Sequence, residues 1–110
     1  MFRPVLACVL ASALSACAAV GLRSAPPSAA VLGREVAVRA CAACHAVEPG
    51  GTSRNARAPP FGSLEMRHTA GLENRVAELT RRGHYEMPPL KLTPDEVREL
   101  VAYIANLDGR

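Results

Sequence analysis

The chain has 110 residues, which is room for one domain. A hydrophobic content of 49% with 21% charged residues excludes disorder by composition. A formal charge of +3, with arginine supplying all but one of the 13 basic residues, is too mild and too dispersed for a nucleic-acid-binding surface.

Residues 1–17 read as an export signal. Arg3 precedes an apolar run from Val5 to Leu14, and small residues follow. The run is too short to anchor a chain across a bilayer, and no apolar stretch of about 18 residues occurs later, so a polytopic membrane protein is excluded. Leu14-Ser15-Ala16-Cys17 matches a bacterial lipobox, which would leave Cys17 acylated and the protein anchored to a membrane. Ala16-Cys17-Ala18 also fits ordinary signal cleavage. Lipidation is preferred because it accounts for the cysteine. Residues 18–29, with their Arg23–Ala29 tract, read as a tether, and residues 30–110 as the folded domain. Losing Arg3 lowers the formal charge to +2.

The first predicted helix follows Ser28 as N-cap, with Val31, Leu32, Val36 and Ala40 at helical spacing. It runs into Cys41-Ala42-Ala43-Cys44-His45. Of the four cysteines, Cys8 leaves with the signal and Cys17 sits at the cleavage site, so Cys41 and Cys44 remain. C-x-x-C-H is the attachment motif of c-type haem. Two thiols on one face of a turn add across adjacent vinyl groups, and His45 is then held beneath the iron as a neutral imidazole ligand. A zinc site would need a second ligand pair at the usual spacing. A thioredoxin-like motif would open a helix, whereas this one closes a helical pattern. A disulfide across two residues would be strained.

Residues 46–60 read as a loop rich in Gly, Pro and Asn. Arg54 and Arg57 lie there, either as solvated charges or as partners of a haem propionate. A further helix begins at Thr69 or Ala70, carries Leu72, Val76 and Leu79, and ends at Gly83 as C-cap.

If the iron is six-coordinate, a second axial ligand must come from Met66, His68, His84 or Met87. Met87 is preferred because Pro88 and Pro89 stiffen its loop and thioether sulfur favours reduced iron. His84, three residues away, leaves a bis-histidine alternative open. The last helix is signalled by the capping box Thr93-Pro94-Asp95-Glu96, followed by the stripe Val97, Leu100, Val101, Ile104 and Leu107, with Gly109 past its end. No segment reads as a strand.

Residues 30–107 resemble the small class I cytochromes c of bacteria. Beyond C-x-x-C-H, Gly33 stands eight residues before Cys41 and Tyr103 lies within Leu100–Ile104, matching the glycine and aromatic at the family's helix crossing. Ala58-Pro59-Pro60-Phe61 resembles the segment whose proline carbonyl accepts the proximal histidine Nδ1–H. Glu86-Met87-Pro88-Pro89 looks like the axial methionine loop. The lysine-rich face and tryptophan of the mitochondrial members are missing here, so their partner surface does not carry over.

The resemblance implies an all-α cytochrome c fold, three to four helices wrapped around one haem c bound covalently through Cys41 and Cys44. His45 and Met87 would ligate the iron, Pro59 would orient His45, and Phe61 would pack against the haem. The implied function is that of a periplasmic monohaem electron carrier, not an enzyme, exchanging electrons with redox protein partners. The alternative is a haem enzyme or a gas or redox sensor with a displaceable distal methionine, for which no distal base is evident.

Overall fold

The computed structural model describes residues 25–67 and 70–107. Among them are four helices: α1 Ala29–Ala40, α2 Leu64–Arg67, α3 Leu72–Arg82 and α4 Pro94–Ala105. The only β-type pairing among the described residues is an isolated bridge between His84 and Met87, so the fold is all-α as expected. The signal segment with Cys8 and Cys17, the tether up to Ser24, His68, Thr69 and Gly109 lie outside the described residues.

Ser28 caps α1: its hydroxyl accepts the Val31 N–H at 3.4 Å, and its carbonyl accepts the same donor at 3.0 Å. α1 therefore starts at Ala29, the last residue of the segment read as tether. The buried face of α1 is Gly33, Val36 and Ala37, with Ala40 packed against the core, so Val36 and Ala40 of the expected stripe face inward while Val31 is 51% exposed. Gly33 decides this. A Cβ at Gly33 would run into the Glu99 carbonyl and stand 2.9 Å from Tyr103 Cβ, so α4 crosses α1 at this point. Val31, two residues earlier, is turned about 200° away.

α4 carries its predicted cap. Thr93 Oγ1 accepts the Glu96 N–H at 3.2 Å, and the Glu96 carboxylate accepts the Thr93 N–H at 2.8 Å. Val97, Leu100, Tyr103 and Ile104 form its buried stripe. The helix stops at Ala105 with Asn106 as C-cap, and the Asn106 side chain donates to the Ala102 carbonyl at 2.7 Å. Leu107 is buried but lies past the helix. Leu100 and Ile104 are almost fully enclosed, and each such burial stabilises by about 1.5–3 kcal/mol.

Tyr103 also ties α4 to the loop after the cysteine motif. Its hydroxyl donates to the Val47 carbonyl at 2.7 Å. Burial holds the phenol above its ordinary pKa, and the nearby Glu48 carboxylate acts in the same direction. Arg34 of α1 pairs with Glu48 at 2.5 Å, so α1, this loop and α4 meet at one corner.

α2 was not anticipated, because four residues give no periodicity to read. Ser63 starts it, its hydroxyl accepting the Met66 N–H at 3.3 Å. α3 begins at Leu72, after Gly71 at φ 70°, rather than at Thr69 or Ala70. Its C-cap is Gly83, as expected, with Gly83 N–H on the Leu79 carbonyl at 2.8 Å.

Candidate functional site

The Cys41–His45 segment continues α1 as a tight turn. Cys41 and Ala42 both donate their N–H to the Ala37 carbonyl, at 2.9 and 3.1 Å, while the Cys44 and His45 N–H groups converge on the Cys41 carbonyl at 3.1 and 2.9 Å. This winding brings both thiols and the imidazole to the lining of one cleft of about 380 Å³. Both cysteines are free thiols, Cys41 buried and Cys44 half-buried. Burial pushes the Cys41 thiol up to about 11, against a smaller opposing pull from Arg39. It is therefore protonated at neutral pH.

His45 is fixed on two sides. Its Nδ1–H donates to the Pro59 carbonyl at 2.9 Å, which selects the tautomer and leaves Nε2 as the free lone pair. Its ring lies 5.2 Å from that of Phe61, tilted by 50°. Phe61 is buried and held in turn, its N–H on the Ala46 carbonyl at 2.9 Å.

The other candidate ligand comes from the loop after α3. His84 and Met87 exchange backbone bonds, at 3.0 and 2.8 Å, closing a tight turn with Tyr85 at φ 49°. Gly83, at φ 75°, makes the entry, because a Cβ there would stand 2.7 Å from the Met87 carbonyl oxygen and 3.0 Å from Pro89. Leu90 N–H donates to the Thr80 carbonyl at 2.6 Å and pins the exit to α3. The half-buried Met87 side chain lines the same cleft as the thiols and His45. Leu72 and Val76 of α3 and Leu100 and Ile104 of α4 supply apolar wall.

Met66 also lines the cleft, but it packs against the buried core. His84 lines the cleft as well, but is exposed with its ring 4.1 Å from that of Tyr85. His68 lies outside the described residues. Arg57 lines the cleft, yet its guanidinium pairs with Glu86 at 3.3 Å. Arg54 is exposed. Glu86 and Asn55 were missed by sequence reasoning: Asn55 Nδ2 donates to Glu86 at 3.0 Å across 31 residues, and no local signal marks such a contact. Among the described residues no group of three or more His, Cys, Asp or Glu side chains is arranged to hold a metal ion by themselves.

Comparison with known proteins bears on this arrangement. The family described as cytochrome c oxidase, cbb3-type, subunit III, matches residues 28–104. A curated relative, cytochrome c-552 of Bradyrhizobium diazoefficiens, is 33% identical over 75 residues, covering 68% of this chain and 71% of its own. The chain belongs to the small class I c-type cytochromes. No solved structure matches.

Membership of this family implies covalently bound haem c, and the site of this cytochrome fits that group. Two unpaired thiols, a tautomer-fixed imidazole and a thioether line one apolar-walled cleft. Among the described residues no helix of this cytochrome is long and apolar enough to cross a membrane.

Proposed function

We propose that this cytochrome is a single-haem electron carrier of the periplasm. Cys41 and Cys44 would hold one haem by two thioether bonds, and His45 Nε2 and the Met87 sulfur would bind its iron. The observation that carries this reading is His45. Its Nδ1–H is committed to the Pro59 carbonyl, which aims the ring and leaves Nε2 to face the cleft that Met87 also lines.

When bound, the haem supplies a one-electron ferric–ferrous couple. The chain's own part is to keep the ligands in place in both states. Pro59 and Phe61 fix His45. The His84–Met87 bridge, Gly83 and the Leu90–Thr80 bond fix the backbone around Met87. Little must move when charge changes, and the apolar walls limit water. A carrier of this kind passes electrons between redox protein partners. Loss of the signal and addition of two propionates would bring its charge near zero, so electrostatic steering of partners would be weak. Acylation of Cys17 would confine it to one membrane face.

The test is an optical spectrum of matured protein, oxidised and reduced. A low-spin c-type spectrum with the weak far-red band of sulfur ligation to ferric iron is expected. A high-spin spectrum, with tight binding of carbon monoxide by the reduced protein, would instead favour the enzyme or sensor reading. The mass of the mature N-terminus decides acylation.

A further inference from the structure

The segment carrying Met87 and the segment following His45 are joined across the cleft by one side chain. Glu86 takes Asn55 Nδ2 on one carboxylate oxygen at 3.0 Å and the Arg57 guanidinium on the other at 3.3 Å. The partners are themselves ordered. Arg57 N–H donates to Asn55 Oδ1 at 2.9 Å, and Asn55 N–H donates to the Cys44 carbonyl at 3.1 Å. A chain of hydrogen bonds therefore runs from the residue next to Met87 to the backbone of the cysteine motif. Both Asn55 and Arg57 line the cleft, as does Glu86.

From this we infer that Glu86 is a positioning residue for Met87, a clasp that holds the methionine loop down on the His45 side of the cleft. The inference rests on Met87 being the sixth ligand. The elements that fix Met87 otherwise, Gly83 and the Leu90–Thr80 bond, all belong to α3 and its own loop. Among the described residues, it is the side chain of Glu86 that ties residues 83–90 to the proximal segment. Arg57 and Glu86 are both well exposed, 79% and 58%, so the ion pair by itself is weak and screened by salt. Its effect is on a local equilibrium, Met87 bound against Met87 released, and not on whether the protein folds.

The probe is imidazole binding to the ferric haem-loaded protein. Imidazole can bind only where Met87 has let go, so apparent affinity is proportional to the released fraction. Glu86→Ala is expected to tighten imidazole binding about two- to fivefold, the range set by an exposed pair, with the far-red sulfur band retained and the thermal midpoint unchanged. Glu86→Gln keeps an acceptor for Asn55 and should fall between. Arg57→Ala should add less in the Glu86→Ala background than alone, and rising salt should tighten imidazole binding to the wild type but not to Glu86→Ala. Equal imidazole affinity of wild type and Glu86→Ala, with the band present in both, overturns the clasp and leaves Met87 as ligand. Absence of the band from the wild type overturns the Met87 reading and the clasp together.

Discussion

Gly33 of α1 lies against the backbone of Glu99 in α4 with no room for a β-carbon between them. That contact sets the crossing of the two helices, and the crossing sets the wall of the cleft: Ala40 and Cys41 follow from one helix, Leu100 and Ile104 from the other. Gly33→Ala should therefore cost about 1–3 kcal/mol or more, because the clash is with main chain and cannot be relieved by a rotamer change. Chemical denaturation of the haem-loaded protein, followed by far-ultraviolet circular dichroism, measures it.

Tyr103→Phe keeps the ring in its pocket and removes the hydroxyl that serves the Val47 carbonyl. The loss should be about 1–3 kcal/mol, since the carbonyl is left without its donor. The denaturation midpoint should fall while the haem spectrum stays the same, because Val47 lies two residues past His45, the proposed iron ligand.

Met87→Ala should leave the haem attached, as the thiols and His45 are untouched. The far-red sulfur band should vanish, the ferric spectrum should shift toward high spin, and carbon monoxide should bind the reduced variant readily. An unaltered six-coordinate spectrum would mean that another residue is the ligand, His84 first among the candidates.

Acid should weaken the start of α4. The Glu96 carboxyl is held below its ordinary pKa first by the Thr93 backbone N–H and then by Arg39. A lowered folded-state value means that the carboxylate stabilises the fold above the unfolded value of about 4.3, and that this contribution fades as pH falls through the lower folded value. Glu96→Gln should thus be less stable than wild type near neutrality, with the difference closing in acid. Thr93→Ala, which removes the other half of the cap, should cost about 1 kcal/mol. Thermal melts of the three proteins between acid and neutral pH check both.

What could be read along the chain was whatever depends on near neighbours. C-x-x-C-H, the stiff Met87-Pro88-Pro89 loop, the Thr93–Glu96 capping box and the Gly83 cap are each completed within a few residues, so local chemistry is enough to state them. Gly33 and Tyr103 were legible only through resemblance, since nothing local says that a glycine and an aromatic 70 residues apart share a crossing. The rest waited for the packed chain. Val31 fits a helical stripe as well as Ala37 does, and only the approach of α4 chooses which face is covered. Sequence left Arg57 open between solvent and a propionate, and the folding of two distant loops onto each other adds Glu86 as a partner that no local signal announces. Contacts between segments carry no periodicity and no spacing rule; their partners are set by how helices cross and where loops land, which is a property of the whole fold.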